Sequence, residues 1–182
     1  MKPRTIYGLI ATGGVISAVS AFWQTLELLT HLEDKATQLT CNLNSVFSCS
    51  TVFDSWQSSA FGFPNSIMCL ILFTIFASVA LVGLANGKVT KGLRLAIQYL
   101  ALFTLGFGLW FLWESTYSIN ALCVFCVSCF LGLLLINWGF FRLNADDLPI
   151  HKCLKAGIKN GADTFVWLLF GLIIAFVIFL HF

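Results

Sequence analysis

Seven cysteines in 182 residues are the side chains of this chain best suited to chemistry. Cys41 and Cys49 stand in a mostly polar segment, spaced Cys-x7-Cys, and Cys123 and Cys126 form a Cys-Val-Phe-Cys motif. The thiolate form of cysteine exchanges disulfides and binds metal ions. Two such pairs predict thiol–disulfide chemistry, provided that the fold brings them to the same place.

The composition decides which kind of fold must position these cysteines. Hydrophobic residues make up 59% of the chain, charged residues 10%, and the mean hydropathy is +0.91, whereas a soluble domain has about 25% charged residues. A soluble enzyme is excluded, and the few basic residues exclude a nucleic-acid partner. We therefore predict an integral membrane protein in contact with lipid.

Uncharged stretches of membrane-spanning length recur along the sequence, and a helical span needs roughly 20 mostly apolar residues. They predict an all-α membrane protein whose five transmembrane helices lie near 5–29, 66–86, 94–113, 121–141 and 163–182. The first could also be a signal segment, but it has no clear Ala-x-Ala cleavage site. We expect a single membrane domain over 1–182.

The basic residues predict the orientation of these helices. Nine of the ten Lys and Arg residues fall in the N-terminus and the second and fourth connections, and Lys35 is the exception. Positive residues favour the cytoplasmic side. We expect the N-terminus in the cytoplasm and the C-terminus outside, with the connections near 30–65 and 114–122 also outside.

This topology brings both cysteine pairs to the outer face. Thiols in an oxidising compartment tend to be paired, which suggests two disulfides. Cys123 and Cys126 also lie where the fourth helix starts, and free N–H groups at a helix N-terminus favour a thiolate. Asn120 is a candidate cap for that first turn.

Alternatives to this pairing exist. Cys126 and Cys129 form a second, overlapping Cys-x-x-Cys motif, and either pair could be a purely structural disulfide. Zinc binding by the four cysteines fits loosely, because thiolate zinc sites usually contain two short-spaced pairs, and we expect no metal. Cys69 and Cys129 are expected to be small buried apolar residues, and Cys153 a cytoplasmic thiol.

The outer connection also has features of a lid and a pocket mouth. Apolar residues around Cys49, from Ser45 to Phe53, suit a short helix lying on the membrane surface. Pro64 is a typical helix-start residue. Asn65 either caps that helix or donates a hydrogen bond to a quinone carbonyl.

Three stretches together, 41–56, 61–66 and 123–126, resemble the vitamin K epoxide reductase family, specifically the bacterial homologues that oxidise protein thiols. The loop pair precedes the Cys-x-x-Cys motif, unlike the order in DsbB-type enzymes. The resemblance covers about 5–141 and implies a four-helix bundle around a quinone site, capped by the outer loop. The additional helix near 163–182 resembles that of bacterial members, where it can lead to a fused thioredoxin-like domain. Because the sequence stops at Phe182, we expect a separate thioredoxin-fold partner.

The resemblance also implies a role for each matching residue. Cys41 would exchange with the partner, Cys49 would pass electrons to Cys123, and Cys126 would react with the quinone. The implied pocket residues are Asn65, Phe53, Val52, Ser55 and Phe130. Vertebrate enzymes have a quinone-contacting Tyr at the position of Phe130; a Phe cannot donate that hydrogen bond, which argues against epoxide reduction and leaves quinone reduction untouched.

These observations predict a membrane thiol:quinone oxidoreductase of the bacterial inner membrane. It would reoxidise a DsbA-like partner on the extracytoplasmic side and pass the electrons to ubiquinone or menaquinone. Two alternatives remain at this point: a quinone or vitamin K epoxide reductase of the same fold, and a non-enzymatic scaffold with structural disulfides.

Overall fold

The computed structural model describes residues 2–149 and 151–182, and these form helices joined by loops. The α-helices are α1 (Pro3–Glu33), α2 (Cys49–Phe53), α3 (Asn65–Leu84), α4 (Lys91–Glu114), α5 (Val124–Leu143), α6 (Lys152–Asn160) and α7 (Ala162–His181). A 3-10 helix covers Trp56–Ser59, and a π-helical turn, Ser115–Ile119, extends α4. The described residues contain no β-strand beyond one isolated bridge between Phe47 and Leu122.

Five helices are long and apolar enough to cross a membrane, namely α1, α3, α4 with its π turn, α5 and α7. The predicted all-α membrane fold with five transmembrane helices is therefore confirmed. The bounds shift because local caps, and not charges, set the helix ends. Helix α4 begins at Lys91, before the predicted residue 94, because the Thr90 side chain accepts a hydrogen bond from the Leu93 N–H.

Helix α1 lies between α3 and α5, and small residues allow the close approach. A Cβ atom added at Gly14 would lie 3.0 Å from the Ala77 backbone nitrogen of α3, and one added at Gly13 would lie 3.1 Å from the Gly132 carbonyl oxygen of α5. Glycine and alanine let transmembrane helices pack backbone to backbone. Helix α4 packs against α5 and completes the four-helix bundle.

Helix α7 lies outside this bundle against α5, and none of its membrane-length window is buried. One end is fixed by the Arg142 guanidinium of α5, which donates to both carboxylate oxygens of Asp163 at 2.8 and 2.6 Å. At the other end, His181 Nε2 lies 3.0 Å from Asn120 Oδ1. Polar contacts at both ends thus hold a helix whose apolar surface is left for lipid.

The two ends of the bundle differ in chemistry. One end, the cysteine face, carries the connection 34–64 and the turn before α5, with Cys41, Cys49 and Cys123. The other, the basic face, carries the amphipathic helix α6, whose Lys159 pairs with Asp146 at 2.9 Å.

Candidate functional site

The connection 34–64 folds over the cysteine face and is hydrogen-bonded to the start of α5. The Leu122 N–H donates to the Val46 carbonyl at 2.7 Å, and the Ser48 N–H donates to the Leu122 carbonyl at 3.0 Å. These two bonds fix the loop beside the residue that precedes Cys123.

Helix α2 begins directly after this bridge. The Ser48 hydroxyl accepts a hydrogen bond from the Thr51 N–H and caps the helix. Cys49, Val52 and Phe53 form its buried face. The short helix predicted within residues 45–53 therefore exists, as a single turn and a half that directs Cys49 into the protein.

Cys41 and Cys49 are joined by a disulfide, with their Cα atoms 5.8 Å apart. Cys41 is 3% exposed and Cys49 0%. Cys49 Sγ lies 3.4 Å from Cys123 Sγ, and Cys123 is 1% exposed. The disulfide of the loop is thus in contact with the first thiol of the Cys-x-x-Cys motif, away from water.

Cys123 and Cys126 are free thiols in this structure, so the expected second disulfide is absent. A hydrogen bond from the Cys126 side chain lowers the pKa of the Cys123 thiol; the backbone N–H groups of Cys126 and Phe125 act in the same direction and outweigh the effect of burial. The helix-start argument for a stabilised Cys123 thiolate is consistent with this geometry.

Asn120 does not cap α5, contrary to the sequence prediction. It adopts a left-handed conformation with φ of 56° at the end of the π-helical turn, and its side chain contacts His181 instead. Cys123 itself occupies the position before the first helical residue and makes no side-chain cap. The first N–H groups of α5 therefore point toward the Cys123 sulfur.

A cavity of ≈ 60 Å³ lies inside the bundle beneath the loop. Its walls come from α1, the loop, α3, α4 and α5 and consist of Gln24, Leu28, Phe53, Ser58, Pro64, Asn65, Ser66, Cys69, Phe107, Phe111, Cys126 and Cys129. Cys126 thus lines the cavity, whereas Cys123 contacts Cys49. The Cys-x-x-Cys motif connects the loop disulfide with the cavity.

Two polar side chains of this wall have buried atoms without partners. Asn65 is 7% exposed and Ser66 4%. The Asn65 amide nitrogen donates to the Gln57 carbonyl at 2.7 Å, while Asn65 Oδ1 and Ser66 Oγ have no hydrogen-bond partner among the described residues. An unsatisfied buried polar atom costs about 1–3 kcal/mol, so these atoms are available to bind a molecule in the cavity. A hydroxyl that can donate and an amide oxygen that can accept fit the oxygens of a quinone and its hydroquinone.

The alternative interpretation of Asn65 as a helix cap is wrong. Helix α3 begins at Asn65 itself, Pro64 occupies the cap position, and the helix start has no side-chain cap. The amide of Asn65 instead holds the 3-10 segment through Gln57, whose own side chain donates to Glu114 Oε2 at 3.0 Å.

The predicted pocket residues divide into two groups. Asn65 and Phe53 line the cavity. Val52 packs with Cys49 and Cys123 in an apolar cluster, Ser55 donates to the Val52 carbonyl at 2.6 Å, and Phe130 belongs to the bundle core. Direct contact of any of these five residues with a quinone stays a prediction.

Sequence reasoning missed a polar stripe on α1, formed by Gln24, Glu27 and His31. The Gln24 amide donates to Cys126 Sγ at 3.2 Å. Glu27 accepts hydrogen bonds from the backbone N–H and hydroxyl of Thr40, next to Cys41. The signal was available, because polar residues at helical spacing inside a membrane span usually mark a functional interior.

An open groove of ≈ 430 Å³ runs beside the loop disulfide on the outside of the bundle. It is lined by Cys41 and by Val19, Ser20, Trp23, Thr40, Leu43, Val124 and Phe125. Of the two disulfide cysteines, Cys41 therefore lies on the side open to an approaching molecule, and Cys49 lies on the side of Cys123.

Comparison with known proteins identifies one family. Residues 7–138 match the vitamin K epoxide reductase family. This range contains all four cysteines of the two pairs and every cavity-lining residue, and α7 lies beyond it. No curated protein matches the chain.

Proposed function

Because the chain belongs to the vitamin K epoxide reductase family, whose members are membrane oxidoreductases that use quinones, we propose that it is a thiol:quinone oxidoreductase serving disulfide formation. In this proposal it reoxidises a DsbA-like thioredoxin-fold protein. The electrons pass through both cysteine pairs to ubiquinone or menaquinone.

The observation that carries the proposal is the unbroken series of sulfur atoms from the groove to the cavity. Cys41 lines the groove and is bonded to Cys49. Cys49 Sγ lies 3.4 Å from Cys123 Sγ, and Cys123 is hydrogen-bonded to Cys126, which lines the cavity. Each step of a thiol–disulfide relay requires sulfur atoms that meet in this way.

The outer step uses the loop disulfide. A thiolate of the partner attacks Cys41 Sγ, forms a mixed disulfide and releases the Cys49 thiolate. The second thiol of the partner then attacks its own mixed-disulfide sulfur, so the partner leaves oxidised and Cys41 and Cys49 remain reduced. Attack at Cys41 is supported by its place on the groove.

The inner step transfers these two electrons. When the inner pair is oxidised, the Cys49 thiolate attacks Cys123 Sγ and releases Cys126. Cys41 then attacks Cys49, which restores the loop disulfide and leaves Cys123 and Cys126 reduced. This distribution, with the outer pair oxidised and the inner pair reduced, is the one found here.

The last step returns the inner pair to the disulfide. A quinone bound in the cavity would take up two electrons and two protons and become the hydroquinone. Cys126 holds the reacting sulfur at the cavity wall. In this proposal Asn65 and Ser66 orient the acceptor; their unpartnered oxygens support this role.

We place the cysteine face outside the cytoplasm of a bacterial inner membrane, with the N-terminus inside. The concentration of Lys and Arg at the basic face supports this orientation. A periplasm-like compartment also supplies the oxidising conditions in which the loop disulfide persists.

The test is anaerobic quinone reduction by purified protein with a reduced thioredoxin-fold donor, followed by absorbance. Cys126→Ala should abolish thiol-dependent quinone reduction, because the inner pair can no longer form its disulfide. Cys153→Ala is the matched control and should keep the wild-type rate, since Cys153 is exposed on the basic face. Wild-type turnover by Cys126→Ala would overturn the proposed relay. A loop disulfide that resists the donor would favour a structural scaffold.

A further inference from the structure

Gln24 is a neutral amide inside the apolar helix α1, 8% exposed, and its side chain forms part of the cavity wall. Its Nε2 group donates a hydrogen bond to Cys126 Sγ at 3.2 Å. One turn further along the helix, Leu28 belongs to the same wall. The amide therefore reaches the reactive sulfur from the helix opposite the Cys-x-x-Cys motif.

The rest of the wall offers Cys126 little polar support. Phe53, Phe107 and Phe111 are apolar. The Ser58 hydroxyl already donates to the carbonyls of Phe53 and Ser55, and the Asn65 amide donates to Gln57. The Ser66 hydroxyl also lines the wall but makes no hydrogen bond to Cys126 or to another described residue. Gln24 is thus the wall residue whose N–H group is directed at Cys126.

An N–H donor at this place matters because of the charge that Cys126 carries during the relay. When Cys49 attacks Cys123, the Cys126 sulfur leaves as a thiolate within an apolar wall. Burying such a charge is costly unless a hydrogen bond compensates it, and hydrogen bonds to ionised groups are about twice as strong as neutral ones. An uncharged amide stabilises the thiolate without holding it in an ion pair.

From this geometry we propose that Gln24 is a positioning residue that stabilises the Cys126 thiolate and directs its sulfur toward the cavity. The inference rests on the proposed function for its place in the relay. The titratable groups around Cys126 are Cys129 on α5, Cys123 directly before α5 and Cys69 on α3; on α1, Glu27 faces Cys123. The thiols of Cys123, Cys129 and Cys69 carry no charge when protonated. The Glu27 carboxylate is hydrogen-bonded to Thr40.

The primary experiment measures Cys126 alone and needs no quinone. In a Cys123→Ala background, the rate of N-ethylmaleimide addition to Cys126 is followed against pH by peptide mass spectrometry. Gln24→Met removes the donor at nearly constant length. We expect it to slow Cys126 alkylation at pH 8 by about tenfold and to move the midpoint of the rate–pH curve upward by about one unit.

Two further variants separate this effect from general loosening of the bundle. Gln98→Met is the matched control, because Gln98 is a fully buried glutamine of α4 that contacts Asn144 and not the cavity; it should leave the curve unchanged. Gln24→Glu keeps the size and polarity of the side chain but places a carboxylate by the sulfur, so it should slow alkylation at least as much as Gln24→Met. Protection of the buried Cys129 from alkylation in the same samples reports intact folding.

A kinetic experiment on the chain with all its cysteines distinguishes failure of this inference from failure of the proposed function. Gln24→Met should lower the rate of quinone reduction about tenfold and leave reduction of the Cys41–Cys49 disulfide by the donor unchanged. A Cys126 rate–pH curve unaffected by Gln24→Met and Gln24→Glu would overturn the inference. Absence of quinone turnover in the wild type would overturn the proposed function, while the alkylation result would still decide the role of Gln24.

Discussion

Helix α2 (Cys49–Phe53) covers the cysteine face as a lid. Asp54 directly follows this helix and joins the lid to helix α1. Its Oδ1 atom lies 3.0 Å from Lys35 Nζ and 3.3 Å from Nε2 of the buried His31. The hydrogen bond from Lys35 lowers the pKa of the Asp54 carboxyl below its ordinary value of 3.8; the bond from His31 acts in the same direction and burial opposes both. The ionised carboxylate therefore fastens the lid at neutral pH.

This contact predicts acid-induced loosening of the lid. Because the pKa is lower in the folded state, the stabilisation is complete above about pH 3.8 and is lost as the pH falls through the folded-state value. The hydrogen-exchange protection factors of residues 49–53, which are corrected for the pH dependence of intrinsic exchange, should fall in that acidic range. Asp54→Asn should show low protection factors already at neutral pH and little further change on acidification. The exposed Asp34→Asn change is the control and should leave exchange of the lid as in the wild type.

At the residue scale, the sequence was most informative about the cysteines. Their spacing and topology were enough to predict that Cys41, Cys49, Cys123 and Cys126 meet at one face, and the structure places them there. The oxidation state of Cys123 and Cys126 could not be predicted, because spacing permits both the thiol and the disulfide form. Gln24 was missed because only charged residues were used to delimit the spans.

At the element scale, the close contact of α1 with α5 depends on glycine residues, which have no side chain at the point where the two helices meet. A Cβ atom at Gly132 would lie 2.8 Å from the Gly13 carbonyl oxygen and would overlap Ser17 Oγ. We expect Gly132→Ala to lower the free energy of unfolding by about 1–3 kcal/mol, the usual cost of overpacking. Thermal unfolding in detergent micelles measures the change.

Gly106→Ala is the matched control for this prediction. Gly106 lies in the span α4, and a Cβ atom there would meet no neighbouring atom of the described residues within 4 Å. The control should unfold as the wild type does. Adding Ser17→Ala should partly rescue Gly132→Ala, because it removes the overlapping hydroxyl. Equal stability of the Gly132 and Gly106 variants would contradict the close packing of α1 on α5.

The same scale shows where sequence reasoning about elements succeeds and fails. Apolar length correctly predicted all five spans, because a bilayer requires about 20 apolar residues whatever surrounds them. The helix ends depended on individual hydrogen bonds, such as the cap by Thr90. The contact between Asn120 and His181 joins residues 61 positions apart, so no local pattern could reveal it.

At the scale of the whole molecule, polar contacts at its two ends help to hold α7 against the four-helix bundle. The Arg142–Asp163 pair is nearly buried, with about a tenth of each side chain exposed. Removing one partner of a buried ion pair is strongly destabilising, by about 3–5 kcal/mol. Asp163→Ala should therefore release the basic-face end of α7, and protease cleavage between α6 and α7 should become faster.

Asp146→Ala provides the comparison for that prediction. Asp146 pairs with Lys159 on the same face, but both side chains are mostly exposed. Exposed ion pairs contribute about 0–1 kcal/mol, so this variant should resist protease as the wild type does. Similar cleavage rates for the two variants would show that α7 does not depend on the buried pair.

The burial of the sulfur atoms has a consequence for selectivity. Cys41, Cys49 and Cys123 are each at most 3% exposed, so in the proposed relay these three sulfur atoms are shielded from water. Small thiols and oxidants in solution have little access to these sulfur atoms, so we expect them to react with the relay slowly. In the proposed relay, a protein donor reaches Cys41 through the groove beside it. The covering loop would thus select the electron donor by its shape as well as by its redox potential.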